Sequence, residues 1–310
     1  MRASAGQPAQ AAPWLKQGRD GRLSWPGTVE TGEPGDLASG DHAPRVELAR
    51  WLARQAQPLK LVRVPLGSPS LSALRQAYRG RGWMRVHADS PSPFIELNRS
   101  WEEAESQFNA GRRSDFRRAQ RRAQEAGGLA FEVHAPQTGA VLESLLDQAY
   151  AVEARSWKGQ GGTALAKDPT LGPFYRDLSR CAADQGLLRL CFLRIGGQPA
   201  AMQLALQADQ RFWLMKIGYD PAYARCSPGQ LLMLHTIGHA AAQGLASYEM
   251  LGSAAPWTAG WTRTLRPFVR VQAYPASWAG ARAAWGDVSQ AAARRWRAWA
   301  GRTALLERPA

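Results

Sequence analysis

The sequence is poor in cysteine and contains no long run of apolar residues. Without such a run, no membrane-spanning helix is expected. The first 44 residues lack the apolar core of a signal peptide, so no secretion signal is read there. The three cysteines, Cys181, Cys191 and Cys226, show neither disulfide nor metal-type spacing, which fits a reducing compartment. Together these absences predict a cytoplasmic protein.

Lysine is also scarce, although the chain is strongly basic. Lys and Arg total 39 against 25 Asp and Glu, which gives a net charge of +14. The lysines are Lys16, Lys60, Lys158, Lys167 and Lys216. Arginine enrichment alongside alanine, glycine and proline is what a GC-rich genome produces without selection for a polyanion. An acidic cofactor, an anionic polysaccharide or an anionic lipid therefore explains the charge as well as a nucleic acid does.

Composition and periodicity divide the chain into four stretches. Residues 1–44 are rich in Ala, Gly, Pro, Ser and Asp and predict a disordered segment. Residues 45–127 alternate strand and helix signals. Residues 128–275 predict a strand, helices, three antiparallel strands, a helix and further strands, and residues 276–310 predict a basic, tryptophan-rich helix. This order predicts a mixed α/β fold with a central mixed sheet flanked by helices, and neither a Rossmann repeat nor a TIM barrel.

The most informative segment is a strand, turn and helix between residues 211 and 243. An apolar strand over 211–219 is followed by a turn containing Asp220-Pro221 and then by Ser227-Pro228-Gly229, which precedes a helix over 230–243. The start of a helix presents several unpaired backbone N–H groups and a partial positive charge, so a phosphate is its natural occupant. Proline suits the first helical turn because its missing N–H costs nothing there. The segment predicts a seat for a phosphorylated cofactor beside the open end of a sheet.

This order of elements, together with that turn, resembles the GNAT acyltransferase fold. In detail it is similar to the GNAT subfamily linked to bacterial cellulose and exopolysaccharide biosynthesis, over roughly residues 93–274. The motifs that carry the resemblance are Arg155-Ser156-Trp157 with the glycine-rich loop after it, Phe174-Tyr175, Gly218-Tyr219-Asp220-Pro221, Tyr223, Ser227-Pro228-Gly229, Gly244, residues 249–252 and Trp261. Family members usually carry a fuller N-terminal GNAT-like half, so residues 45–127 are interpreted as a shortened one. FemAB-type aminoacyltransferases share a tandem GNAT architecture and are also similar.

The resemblance implies acetyl-CoA, or another acyl-CoA, as co-substrate, without a metal. In this fold the pantetheine arm and the pyrophosphate are held by the elements that correspond to residues 213–219 and 225–232. The residues expected to bind the cofactor are Lys216, Ile217, Gly218, Arg225, Ser227, Gly229 and Gln230. Backbone N–H groups near residues 216–218 are expected to stabilise the oxyanion.

Acyl transfer to an amine or hydroxyl needs a base for the acceptor proton and an acid for the departing thiolate. Glu249 follows the cofactor helix, where GNAT enzymes often place a base; the alternative is a carboxylate that accepts from loop N–H groups. Glu153 lies on the apolar face of its helix, either paired with an arginine or held at a raised pKa for catalysis. Tyr219 is a candidate acid or a wall of the pocket.

Four further features have two interpretations each. His235 and His239 are one helical turn apart but lack a third ligand, so packing is favoured over a metal site. The loop 159–162 is a substrate lid or a plain connector. The arginines between 112 and 122 form a solvated face or a seat for the 3′-phosphate of CoA or an anionic acceptor. The tryptophans of the C-terminal helix, including Trp278 and Trp285, contact an anionic membrane or, as we expect, pack on the protein's own sheet.

Three functions follow from the sequence. The leading one is transfer of an acetyl group to a sugar or another small-molecule or glycan precursor of exopolysaccharide or cell-envelope synthesis. The second is a FemAB-like transfer from aminoacyl-tRNA, the one case in which a nucleic acid is a partner. The third is a non-catalytic scaffold within a polysaccharide synthesis complex. Peripheral contact with inner-membrane synthesis machinery is compatible with the first and third.

Overall fold

The computed structural model describes residues 15–18, 20–25, 33–37, 42–156 and 164–306. Contacts divide the chain into two units, one within residues 1–92 and 265–310 and the other within residues 93–264. In chain order the elements are β1 (Lys16–Gln17), β2 (Leu23–Ser24), α1 (His42–Arg54), β3 (Leu59–Pro65), α2 (Pro69–Tyr78), β4 (Gly82–Glu96), α3 (Ala110–Glu125), β5 (Leu129–His134), α4 (Ala140–Arg155), α5 (Leu171–Asp184), β6 (Leu188–Ile195), β7 (Gln198–Ala208), β8 (Arg211–Tyr219), α6 (Pro228–Ala242), β9 (Ser247–Glu249), α7 (Pro256–Ala259), β10 (Leu265–Pro275) and α8 (Trp278–Leu306).

The first unit contains a sheet in the order β1-β2-β3-β10-β4, to which β4 contributes its residues before 93. Helix α2 begins where the Ser68 hydroxyl accepts the N–H of Ser70, and it buries Leu71 and Leu74 against the strands. Most of residues 1–44 were expected to be disordered. Within that stretch, Leu23 of β2 pairs with β3 and is buried in the core of this unit.

The second unit contains a mixed sheet in the order β4-β9-β8-β7-β6-β5. Strands β5 to β8 pair antiparallel with one another, β9 runs parallel to β8, and β4 is antiparallel to β9. Gly196 and Gly197, at φ +56° and +75°, form the turn between β6 and β7, as a two-glycine hairpin requires. The predicted mixed α/β fold is therefore confirmed.

Helices cover both faces of this sheet, because its central strands are apolar on both sides. In β6, Cys191 and Leu193 pack with α3 and α6, whereas Leu190 and Phe192 pack with α4 and α5. Helix α3 begins at Asn109, whose side chain accepts the N–H of Arg112 at 2.9 Å. Since α3 packs in the core of this unit, the unit begins before residue 127, where the sequence had placed the domain boundary.

The feature of the sheet that matters for function is the early end of β9. Strands β8 and β9 pair over three positions, from Arg211 opposite Ser247 to Trp213 opposite Glu249. Strand β8 then continues alone on that side to Tyr219, while the chain leaves β9. The two parallel strands thus separate next to the start of α6. Among the described helices, none combines the length and apolar content that crossing a membrane would need.

Candidate active site

An open cavity of about 530 Å³ lies in the second unit, beside the part of β8 that extends past β9. Residues 217–219 of β8 form one wall, and residues 227–233 at the start of α6 form much of the other. Gln203 of β7 also lines the cavity, together with Trp257 and Trp261 from the segment after β9. The lining is mainly apolar, with a few polar groups at the start of α6, and so fits a partly apolar ligand.

The N-terminus of α6 offers fewer free amides than the sequence suggested. The N–H of Ser227 donates to the carbonyl of Ala224 at 3.0 Å, and the carbonyl of Ser227 accepts the N–H groups of Gln230 and Leu231. Pro228 has no N–H. Among the described residues, no acceptor is found for the N–H of Gly229. The expectation of several converging amides is therefore wrong, because Ser227, in a left-handed conformation (φ 46°), closes the first turn on itself.

A groove lined by arginines adjoins the cavity. This basic groove has a volume of about 750 Å³ and shares Ser227, Gln230 and Trp257 with the cavity. Its basic residues, all on α3, are Arg112, Arg118 and Arg122. The α3 arginines are thus not all part of a solvated face, because these three line an opening that leads to the start of α6.

Arg112 is held differently from the other arginines of α3. Its guanidinium carbon lies 4.5 Å from the ring centroid of Phe108, 4.7 Å from that of Trp261 and 5.3 Å from that of Phe116. It donates to the carbonyl of Gly260. Burial lowers the pKa of Arg112. The sequence signal for this role is the spacing of Phe108, Arg112 and Phe116, four residues apart and so on one side of the chain as it enters α3.

A buried polar network lies behind the cavity wall. The side-chain oxygen of Gln203 accepts from the hydroxyl of Tyr248 at 3.2 Å, and that hydroxyl also meets Thr236 Oγ1 at 3.0 Å. Burial raises the pKa of Tyr248 far above its usual value, so its hydroxyl stays protonated. These bonds orient the Gln203 amide nitrogen away from Tyr248 and near the sulfur of Met233, which also lines the cavity. Sequence reasoning missed Gln203, since nothing local marks it.

The two predicted carboxylates do not line the cavity. Glu153 is 1% exposed, and its Oε2 accepts the N–H of Leu165 at 2.8 Å. It packs on the α4 side of the sheet, against the backbone of Gly218. Glu249 is also 1% exposed and accepts from the Ser247 hydroxyl at 2.7 Å. Among the described residues that line the cavity, none carries a carboxylate or an imidazole.

The predicted cofactor-binding residues divide between the two faces of the sheet. Of the predicted set, those that line the cavity are Ile217, Gly218, Ser227, Gly229 and Gln230, and the candidate acid Tyr219 lines it as well. Lys216 does not, because its ammonium lies over the ring of Tyr175 at 4.3 Å, on the α5 side. Arg225 is exposed, and its carbonyl accepts from Arg122 at 3.0 Å. Trp157 and the loop 159–162 lie outside the described residues.

Of the histidine pair of α6, which was expected to be packed or solvent-facing, His235 is packed and both are half-buried. His235 stacks on Phe131 with ring centroids 4.4 Å apart. Burial lowers the pKa of His235, as does the charge of His239, and burial likewise lowers the pKa of His239. Within the part of the chain that the structure describes, no group of three potential metal ligands is found.

Residues 110–258 match the family model described as acetyltransferase (GNAT) domain. Three solved structures share the fold at low identity. The C-terminal domain of a protein described as a lysylphosphatidylglycerol synthetase from Agrobacterium fabrum has a TM-score of 0.53 and 14% identity, over 81% of this chain and 78% of its own. L-PGS from Bacillus licheniformis has a TM-score of 0.54 and 13% identity, over 83% and 82%. FemX has a TM-score of 0.53 and 11% identity, over 82% and 80%.

No curated protein matches the sequence significantly. The identities to the solved structures are low enough that they indicate the fold alone. The fold of this chain is GNAT-like, and its matched region contains β5 to β9, α3 to α6 and every cavity-lining residue except Trp261. None of these similarities bears on the cellulose and exopolysaccharide subfamily, which stays a prediction.

Proposed function

We propose that this protein is an acyltransferase whose donor carries phosphate groups and binds between β8 and the start of α6. The observation that carries the proposal is the cavity at the separation of β8 and β9, which opens beside the Gly229 N–H into the basic groove. The donor phosphates lie along Arg118 and Arg122, and the acyl group reaches residues 217–218. The match of residues 110–258 to the GNAT domain supports this placement.

The donor that we propose first is an acyl-CoA, with acetyl-CoA as its simplest form. An amine or hydroxyl of the acceptor attacks the carbonyl carbon, a C–N or C–O bond forms, and the thioester C–S bond breaks. The acceptor proton ends on the thiolate or on solvent. Tyr219 lines the cavity and is the proposed proton donor to the thiolate. The amide nitrogen of Gln203 is the proposed donor to the oxyanion.

A second candidate donor is an aminoacyl-tRNA, whose ester C–O bond would break in place of the thioester bond. Two observations favour it. The basic groove is wide and lies on the surface, which suits a polyanion larger than CoA. A structural neighbour is described as a lysylphosphatidylglycerol synthetase, whose name implies transfer of an amino acid, and FemX shares the fold.

For the acceptor, we propose an amine or hydroxyl of a sugar or another precursor in exopolysaccharide or cell-envelope synthesis, in the cytoplasm. This part of the proposal is supported by the family resemblance of the sequence. A small molecule that enters from the solvent side of the cavity meets Trp257, which is 44% exposed, whereas Trp261 is buried against Arg112. A screen of amino sugars and their nucleotide-linked forms as acceptors tests it by release of free thiol.

Calorimetry distinguishes the two donors. The full chain is titrated with CoA, acetyl-CoA and bulk tRNA at two salt concentrations. The acyl-CoA proposal requires saturable binding of CoA, and lack of binding at millimolar concentration refutes it. Tight tRNA binding with a steep salt dependence, in the absence of CoA binding, identifies the second candidate.

A matched pair at Gly229 then locates the donor. A Cβ at this position would lie 3.5 Å from Tyr219, an ordinary contact, so Gly229→Ala is expected to keep donor affinity. Gly229→Asp adds charge beside the free N–H and is expected to weaken binding about tenfold or more. Ser144→Asp, at an exposed position on α4, is the charge control. Equal affinities of all three variants would remove the start of α6 from the proposed site.

A further inference from the structure

Helix α8 exposes three of its tryptophans to solvent. Trp278 is 93% exposed, Trp285 is 75% exposed and Trp296 is 68% exposed. At about 100° per residue, these three positions fall within about 20° of one another around the helix. We call them the tryptophan stripe. Exposed tryptophans in a single line are uncommon on soluble surfaces and mark a surface that contacts something else.

The opposite side of α8 is the side that faces the protein. Asp287, about 180° from Trp278 around the helix, accepts hydrogen bonds from Arg22 at 2.7 Å, Gln272 at 2.8 Å and Tyr274 at 2.5 Å. A Cβ at Gly280 would overlap the carbonyl of Pro275, so the helix backbone lies close to the end of β10. The expectation that the stripe packs on the protein's own sheet is therefore wrong. Small and polar residues make that contact, and the tryptophans point away.

The charge of α8 is positive beside the stripe. Among residues 278–306, Asp287 is the one acidic residue, and its ion pair with Arg22 is internal to the unit. The arginines of the helix are Arg282, Arg294, Arg295, Arg297 and Arg302. Arg282 lies about 40° from the stripe. Arg297 lies about 100° from the stripe and Arg294 about 160°, so the outward surface combines the indole rings with Arg282 and, at its edge, Arg297.

We propose that the tryptophan stripe seats this protein on the surface of a bilayer that contains anionic phospholipid. Indole rings partition into the headgroup region, where the ring meets acyl chains and the N–H meets water or ester oxygens. The neighbouring arginines contact lipid phosphates, and the helix lies parallel to the surface. A second copy of the chain fits the stripe less well, because a symmetric contact would bring the arginines of one α8 against those of the other. The proposal does not depend on the identity of the acyl donor.

Vesicle sedimentation of the full chain tests the proposal. The vesicles contain phosphatidylcholine alone or phosphatidylcholine with a third phosphatidylglycerol. Binding to the second kind alone is expected, and raised salt should weaken it. Vesicle-bound protein should also show tryptophan quenching by lipid brominated near the headgroup. Equal binding to both kinds of vesicle, or binding to neither, overturns the proposal.

Two variants with matched controls separate the stripe from general basicity. Trp278→Ala/Trp285→Ala/Trp296→Ala should lose vesicle binding and quenching, whereas Trp83→Ala/Phe174→Ala, which removes exposed rings elsewhere, should keep both. Circular dichroism confirms that each variant folds.

For the charges, Arg282→Glu/Arg297→Glu is expected to weaken binding by about fivefold or more per arginine. The control Arg117→Glu/Arg121→Glu makes the same change of net charge at exposed positions on α3. An equal loss in both pairs would show that the overall charge, and not α8, binds the lipid. Loss of a concentration-dependent dimer in the tryptophan variant, with vesicle binding unchanged, would assign the stripe to a second copy and refute the proposal.

Discussion

Replacement of Arg112 by alanine tests whether the enclosed guanidinium holds the cavity together. The side chain contacts the rings of Phe108, Phe116 and Trp261 and donates to the carbonyl of Gly260. Loss of the cation–π contacts is expected to cost about 1–2 kcal/mol. The carbonyl left without its donor costs about 1–3 kcal/mol. Since the two effects overlap, we expect Arg112→Ala to lower the free energy of unfolding by about 2–4 kcal/mol.

Urea unfolding of the full chain measures this change, followed by both circular dichroism and tryptophan fluorescence. Coincident transitions are required before a free energy is extracted. Arg112→Lys keeps the charge but loses the planar group that lies among the rings, so an intermediate loss is expected. Arg117→Ala, on the same helix with a 64% exposed side chain, should change stability by less than about 0.5 kcal/mol. A loss for Arg112→Ala no larger than that of Arg117→Ala would refute the structural role.

Three further predictions concern the buried polar residues. Glu153→Gln retains an oxygen that accepts the Leu165 N–H, so it should keep the rate of acyl transfer, whereas loss of transfer with intact folding would restore Glu153 as a catalytic residue. Burial lowers the pKa of His235, so its contribution to stability is present above the unfolded-state pKa of about 6.5 and is lost as pH falls below it. His235→Phe, which can stack on Phe131, should reduce the dependence of the free energy of unfolding on pH between about pH 5 and 7, measured by denaturant titrations. An unchanged dependence on pH would contradict this. Gln203→Leu should slow acyl transfer, measured as thiol release from acetyl-CoA, by about 100-fold. It also removes an acceptor of the buried Tyr248 hydroxyl and should lower the free energy of unfolding by about 1–3 kcal/mol, and an unchanged rate in the folded variant would exclude Gln203 as oxyanion donor.

No carboxylate or imidazole is found among the described cavity-lining residues, so the proposed mechanism does not use a side-chain general base from the cavity wall. A buried general base would need to lose its proton inside an apolar cavity, which is costly unless the charge is compensated. The cavity instead offers neutral hydrogen-bonding groups, such as the Gln203 amide and the Tyr219 hydroxyl. A mechanism in which the acceptor amine enters already neutral, and loses its proton late, fits this lining. The rate of such a mechanism rises with pH until the acceptor amine is fully deprotonated.

Local rules anticipated the elements that form the site. The apolar run of β6, the glycine turn at 196–197 and the Pro228 start of α6 all depend on neighbouring residues, so the sequence was enough to predict them. The same rules failed for the free amides of α6. The count of unpaired N–H groups depended on the φ of Ser227, which no composition or spacing specifies.

The roles of the individual side chains required the tertiary structure. Glu153 and Glu249 were catalytic candidates because of their positions along the chain, each with a structural alternative, and each points into the protein and accepts hydrogen bonds there. Arg112 was expected to act as one of several like charges, yet it meets Gly260, 148 positions away. A contact between distant segments depends on how helices and strands pack. Residue spacing within one segment carries no information about that packing.

By itself, the sequence determined the fold class, the strand–turn–helix at 211–243 and the basic, tryptophan-rich character of the C-terminal helix. The tertiary structure decided which face of each element became buried. In the folded protein, Lys216 and Glu153 do not line the cavity, whereas Gln203 does. The tryptophan stripe is exposed to solvent. Periodicity reports that a helix has two unlike faces, but the choice of the face that meets the protein depends on what the neighbouring strands present. In α8, the face that meets the protein is the one that carries Asp287, whose carboxylate accepts hydrogen bonds from Arg22, Gln272 and Tyr274.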